Sequence, residues 1–173
     1  ALKLQSQVPT AKKAIERIST ERQLLQMFGA GLTPDDIREV VDDAKIMQIK
    51  AGDTIMREGD DGKEIFVIRV GSMIVEKQVG GKPVFLSYLP AGSYVGEMAL
   101  IDNLPRSADA KADAQGAVVL AIPRNVLEGI LDIHKISSIN LLRLLCTLVA
   151  ARLRELDDKI IGWFILAGGS GRS

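Results

Sequence analysis

Gly96-Glu97-Met98-Ala99-Leu100-Ile101-Asp102-Asn103-Leu104-Pro105-Arg106-Ser107-Ala108 interrupts a succession of short β-type runs with a glycine followed by helix-forming residues. Upstream, glycines at Gly52, Gly59, Gly62, Gly71, Gly80-Gly81 and Gly92 punctuate runs such as Ile65-Phe66-Val67-Ile68 and Met73-Ile74-Val75. Gly80-Gly81, between Glu76–Val79 and Lys82–Leu89, is a hairpin signal, because both turn positions can take positive φ. Short strands with frequent turns over about 45–122 point to a sandwich, barrel or jelly roll.

Helical patterns flank this section. Ala11, Ala14, Ile15, Ile18, Leu24, Leu25 and Phe28 recur at helical spacing. Thr33-Pro34-Asp35-Asp36 predicts a helix start: Thr33 caps, Pro34 suits the first helical position, and the two acids favour the positive end of the dipole. After the strands, Asn125 to Ile133 predicts a short helix, and Ser137 or Ser138 can cap a long one reaching about Trp163. The expected organisation is a helical segment over 1–44, a β section over 45–122, C-terminal helices over 123–164, and a linker or appended tail over 165–173. The chain does not begin with Met and ends in Gly168-Gly169-Ser170-Gly171-Arg172-Ser173, so a fragment of a longer protein is expected.

Bulk composition excludes several classes. The 173 residues are 47% apolar and 25% charged, ordinary for a soluble domain. Lys plus Arg total 22 and Asp plus Glu total 22, so no net field draws the chain to nucleic acid or an anionic membrane. The N-terminus lacks the basic start and long apolar run of a signal peptide, and no apolar stretch approaches a membrane span. The single cysteine, Cys146, fits a reducing, cytoplasmic setting; on an apolar helix it is expected as a small buried hydrophobe. No nucleophile–base pair, metal cluster or Walker-type loop is present, which argues against an enzyme and against a metal or cofactor. A metal-binding jelly-roll enzyme would need several histidines, and the chain has only His134. A haem sensor would have to use His134 or Cys146 as axial ligand.

The chemistry of 96–108 points to an anion. A short helix opening at Glu97 offers unpaired N–H groups, Arg106 offers a planar fork for two phosphate oxygens, and Ser107 adds a hydroxyl. Glu97 repels a bare phosphate, so a ligand carrying a hydroxyl donor beside its phosphate, such as a sugar phosphate, suits the set. The competing interpretation is a surface ion pair between Glu97 and Arg106, worth little.

These residues resemble the phosphate-binding cassette of the cyclic-nucleotide-binding family, whose branches include the catabolite activators and the regulatory subunits of protein kinases. The shared pattern is Gly-Glu, an apolar triplet (Met98, Ala99, Leu100), a variable stretch, then Pro-Arg, a small residue and Ala. Leu86-Ser87-Tyr88-Leu89 followed by Gly92 is similar to the run before the cassette, and the likeness spans about Leu24 to Ile160. The resemblance implies an eight-stranded jelly-roll barrel with flanking helices that binds cAMP or cGMP without catalysis. It implies that Glu97 accepts from the ribose 2′-hydroxyl and that Arg106 pairs with the cyclic phosphate. Ser107 and the N–H groups of Ala99 and Ala108 complete the phosphate shell. Gly96 lets the chain approach the ribose, and Leu86 and Ser87 line the wall. Ser107 after Arg106 implies cAMP with weak discrimination. Family members read the base from the long helix. The matching positions here are Leu156 and Asp157, whose chemistry departs from the usual hydroxyls, so Asp157 is expected on a solvated face.

Three roles are open on this basis: a regulatory sensor moving its C-terminal helices, the sensor half of a transcription factor, or a degenerate module that binds no ligand. Only ten residues follow Trp163, too few for a helix-turn-helix, so no nucleic-acid contact is expected of this chain. Leu142, Leu145, Val149, Leu156 and Ile160 form a stripe that can pair with a second copy or pack on the chain's own β section; Arg152 and Leu153 disturb its heptad. Arg106→Lys is expected to lose ligand while leaving ligand-free stability nearly unchanged.

Overall fold

The computed structural model describes residues 2–28, 32–131 and 136–168. Two helices come first, α1 (Leu2–Phe28) and α2 (Pro34–Asp43); strands β1 (Lys45–Ile49), β2 (Thr54–Met56), β3 (Glu64–Val79), β4 (Lys82–Pro90) and β5 (Tyr94–Val95) follow. The short helix α3 (Met98–Asp102) precedes β6 (Asp109–Pro123), and α4 (Arg124–Ile130) and α5 (Ile136–Gly168) close the order. The 96–108 interruption thus sits between β5 and β6, with α3 inside it.

All strand pairings are antiparallel, along the path β1-β6-β3-β4, with β2 on β6 and β5 on β3. Six strands are present among the described residues, where eight were expected, because β3 and β6 run on through bends. Residues 64–71 of β3 pair with 117–123 of β6, and residues 73–76 pair with 109–112, with a register shift between Gly71 and Met73. Gly71 and Gly116 face each other at this bend. β1 and β5 join the upper part of the ladder, and β2 and β4 the lower. The ladder path ends at β1 and β4 rather than closing on itself. The β3–β4 hairpin turns at Gly80-Gly81, both at positive φ, as the sequence predicts.

Alternation along the strands assigns two cores. Ile65 and Val67 on β3, with Leu120 and Ile122 on β6, face the helices and meet Leu24, Ile37, Val40, Val126, Leu127, Ile130, Leu141 and Leu145. Phe66 and Ile68, with Val119 and Ala121, face inward and meet Ile49, Met56, Met73 and Val95. Leu100 of α3 belongs to the helical core, which ties the interruption to the terminal helices.

The start of α2 follows the sequence closely. Thr33 is the N-cap, Asp36 closes a capping box onto the Thr33 N–H at 2.9 Å, and Pro34 takes the first turn. The buried Asp36 also accepts from the Ser137 hydroxyl, pinning α2 to α5. Ser137 and Ser138 therefore lie within the first turn of α5 and bond buried partners, Ser138 donating to the Ile130 carbonyl at 2.9 Å. In α1, Ile15 and Ile18 are exposed, while Leu24 enters the core.

The stripe on α5 divides. Leu141 and Leu145 are buried against the helical core, with Leu144 and Leu148 packed beside them. Leu142, Val149, Leu153, Leu156 and Ile160 are exposed, so Leu145 leaves the stripe and Leu153 joins it. Cys146 is exposed, contrary to expectation, because it lies off the Leu141–Leu145–Leu148 row that covers the core. His134 and the side chain of Trp163 lie outside the described residues. Among the described residues no helix is long and apolar enough to cross a membrane.

Candidate functional site

Gly96 ends β5 at a φ of +91°, a region open to glycine at low cost. A Cβ there would strike the Arg106 guanidinium, so what the missing side chain admits in this structure is Arg106 itself. Arg106 is 7% exposed. Its Nη1 donates to the Gly96 carbonyl at 2.8 Å, its Nη2 donates to the Glu64 carbonyl, and the guanidinium lies 5.8 Å from the Phe66 ring centre. Its backbone is equally tied, the N–H donating to Asp60 O at 2.8 Å and the carbonyl accepting from the Gly59 N–H at 2.9 Å. Burial holds the guanidinium below its usual pKa, with Glu64 and Glu97 pulling the other way.

Glu97 caps α3 with its backbone, but its side chain makes no capping bond. At 1% exposure it is among the most buried side chains of the protein, and neither carboxylate oxygen has a hydrogen-bond partner. Desolvation pushes its pKa up; the nearby Arg152 and Arg106 oppose that. The charge facing it is Arg152 of α5, whose Nη1 lies 2.6 Å from Oε1 in an ion contact. Arg152 also donates to the Tyr94 carbonyl at 3.2 Å.

Gly96, Ala99, Arg106, Ser107 and Ala108 line one cavity with Met98, Met56, Val75, Val95 and Arg152. Ala99, Leu100 and Ala108 are buried; Met98 is exposed, and the Ser107 hydroxyl lies 3.6 Å from its sulfur. Lys77, paired with Glu58, donates to the Ser107 carbonyl at 2.9 Å. The cavity measures about 30 Å³, room for roughly one water and far below the several hundred Å³ of a small-molecule pocket. Leu86 and Ser87 on β4 do not line it. They meet α5 instead: Lys159 donates to the Leu86 carbonyl, and the Ser87 hydroxyl lies 3.5 Å from Glu155. A larger cleft of about 630 Å³, between Asp61–Lys63, Asn103–Pro105 and α4, lies outside this cavity, and only the variable part of the interruption reaches it.

The structure therefore gathers Gly96, Ala99, Arg106, Ser107 and Ala108 around one space, while Glu97 lines a separate cavity of about 20 Å³ with Tyr94, Leu100 and the Leu141–Leu148 face of α5, joined to the first through its contact with Arg152. Leu86 and Ser87 stand further along α5. Arg106 is engaged with carbonyl oxygens rather than facing an open anion site. Leu156 and Asp157 are both exposed, and the α5 residue reaching the site is Arg152, one turn earlier. Sequence reasoning passed over Arg152 as a flaw in a heptad. Its signal was a lone cation at the next helical step after Leu141, Leu145 and Leu148, the row that packs on the core.

A family model described as "Cyclic nucleotide-binding domain" matches residues 46–134. A cyclic nucleotide-binding domain from Methylobacillus flagellatus superposes with a TM-score of 0.71 at 23% identity, over 82% of this chain and 83% of that one. Catabolite activator protein of Thermus thermophilus gives 0.61 at 27% identity, over 78% of this chain and 61% of that one. The regulatory domain of Toxoplasma gondii PKA, crystallised with cAMP, gives 0.61 at 24%, over 66% of this chain and 44% of that one. The chain thus spans less than two thirds of the last two. No curated protein sequence matches it.

Proposed function

The chain belongs to the cyclic nucleotide-binding domain family, and from that premise we propose that it is a regulatory sensor that binds cAMP or cGMP reversibly, without catalysis, and passes the event to α5. The observation that carries this is the buried Glu97 carboxylate, with neither oxygen hydrogen-bonded, beside a cavity walled by Gly96, Arg106 and Ala108. A buried carboxylate met by an ion contact with Arg152 but by no hydrogen bond keeps acceptor capacity that a ligand hydroxyl can fill. In this reading Glu97 takes the ribose 2′-hydroxyl, and Arg106 turns its fork from the carbonyls to the cyclic phosphate. Ser107 and the N–H groups of Ala99 and Ala108 complete the shell, while Leu86 and Ser87 line the wall once α5 has moved. The sheet is then the family's eight-stranded jelly roll, β3 and β6 each counting twice, with 96–108 as its cassette.

A second reading has one observation in its favour. The cavity of about 30 Å³ and the engaged fork of Arg106 also suit a module that keeps the fold and binds no nucleotide. Thermal unfolding separates the two. A ligand at a hundred times its dissociation constant stabilises by about 2.7 kcal/mol. The sensor reading expects cAMP or cGMP to raise the melting temperature and 5′-AMP to leave it unchanged; no rise with any nucleotide at millimolar concentration favours the empty module.

A further inference from the structure

Val75 of β3 lines the cavity beside Ala108, and by strand alternation Lys77 stands on the same face two residues further along. From there its Nζ donates to the Ser107 carbonyl at 2.9 Å and to Glu58 Oε1 at 2.7 Å. Other bonds tie the chain on either side of that carbonyl. The Arg106 N–H and carbonyl bond to Asp60 and Gly59. Asp109 accepts from the Glu58 N–H at 2.7 Å and from the Gln78 side-chain amide at 3.3 Å. Those bonds fix the course of the chain before and after the peptide that joins Ser107 to Ala108. The bond that reaches this peptide itself comes from Lys77. A peptide unit is planar and trans, so its N–H points opposite to its C=O. In holding the Ser107 carbonyl, Lys77 therefore also fixes the direction of the Ala108 N–H, which points away from the amine.

We infer that Lys77 is a positioning residue for anion binding: by holding the Ser107 carbonyl from outside the cavity, it keeps the Ala108 N–H aimed at the phosphate. This inference rests on the phosphate-shell role proposed above for that N–H. Lys77 touches no ligand in this arrangement and acts through the peptide plane. Glu58 steadies the amine, and Lys77 in turn holds the Glu58 carboxyl below its usual pKa, so the pair is charged at neutral pH. With side chains 43% and 32% exposed, the pair adds little stability, and its consequence is geometric. A cation acting through space would strengthen every donor of the phosphate shell alike, whereas a turned peptide weakens one of them.

The test compares wild type, Lys77→Met and Lys77→Arg. Calorimetry measures cAMP affinity, and proton–nitrogen spectra of the labelled proteins at saturating cAMP follow the Ala99 and Ala108 amides. Lys77→Met keeps the length of the stem without a donor, and Lys77→Arg keeps a donor. In wild type both amide protons should move downfield as they meet the phosphate. In Lys77→Met the Ala108 displacement should shrink while that of Ala99 is kept. Affinity should fall about three- to tenfold, within the value of one hydrogen bond to a charged group. Lys77→Arg should stay within about twofold of wild type. The ligand-free melting temperature of Lys77→Met should lie within about 4 °C of wild type, as suits an exposed pair. With wild type binding, an Ala108 displacement in Lys77→Met equal to that of wild type, or an equal reduction at both amides, overturns the positioning role and leaves the sensor function standing. Binding by none of the three proteins overturns the sensor function, and the positioning role falls with it.

Discussion

Replacing Arg106 with lysine separates two jobs that the side chain performs. In the ligand-free protein the guanidinium is buried, donates to the Gly96 and Glu64 carbonyls from two different nitrogens, and lies over the Phe66 ring. Lysine keeps the charge but concentrates its donors on one atom, so one of the two carbonyls loses its partner. Losing a hydrogen bond from a charged donor costs about 1.5–3 kcal/mol, and the weakened ring contact adds about 0.5–1 kcal/mol. At about 2–4 °C per kcal/mol for a chain of this size, the ligand-free melting temperature should fall by roughly 4–16 °C. This replaces the expectation from sequence alone that stability would be nearly unchanged. Arg106 could not be recognised there as a side chain bonded to its own fold. Binding should weaken about ten- to a hundredfold, shrinking the ligand-induced stabilisation by about 1.4–2.8 kcal/mol. Thermal unfolding of both proteins with and without cAMP and cGMP measures both effects. A ligand-free melting temperature within about 2 °C of wild type, under 1 kcal/mol, refutes the carbonyl clamp. Equal ligand-induced shifts refute the phosphate contact.

Three further outcomes follow from the same geometry. Asp36→Ala removes the reciprocal half of a capping box and the acceptor for Ser137; chemical denaturation should show a loss of about 2–4 kcal/mol, and a loss under 1 kcal/mol contradicts the pinning of α2 to α5. Glu97, buried with a raised pKa, should give a distinctive pH dependence. Below the ordinary value of 4.5 folded and unfolded chains both hold its proton; as pH rises from there to the higher folded value the unfolded chain releases first, and the folded state loses stability. Denaturation across that window should show wild type losing stability relative to Glu97→Gln as pH rises, and parallel curves would contradict the burial. Leu142, Val149, Leu153, Leu156 and Ile160, all exposed, alternate with Cys146 at spacings of three and four, so a dimer through α5 is expected by light scattering; a monomer mass at high concentration, with and without nucleotide, excludes it.

The parts legible in the sequence were those written in local chemistry. Thr33-Pro34-Asp35-Asp36 announced α2, Gly80-Gly81 announced the β3–β4 hairpin, and the spacing from Gly96 to Ala108 announced a helix-bearing break between strands. What stayed hidden depended on partners distant in the chain. Whether β3 ends or bends at Gly71 is decided by its pairing with β6, some forty residues away. The burial of Leu145 and exposure of Cys146 are set by which face of α5 meets Ile65 and Leu120, and apolar periodicity alone does not choose between two adjacent stripes. Arg152 looked like an error in a heptad until Glu97 was placed beside it. Arg106 carried the right signal, but its bonds to Gly96 and Glu64 join three segments and have no local trace.

The central claim is that Glu97 receives a ribose hydroxyl, and calorimetric titration of the wild-type chain with cAMP and with 2′-deoxy-cAMP tests it most directly. The two ligands share the cyclic phosphate and the base, so the comparison isolates the hydroxyl. One site per chain is expected. The deoxy nucleotide should bind more weakly by about 1.5–3 kcal/mol, the value of a hydrogen bond to a charged acceptor, or roughly ten- to a hundredfold. In Glu97→Ala that discrimination should collapse. Equal affinity of the wild type for the two nucleotides, or no binding of either, would contradict the claim.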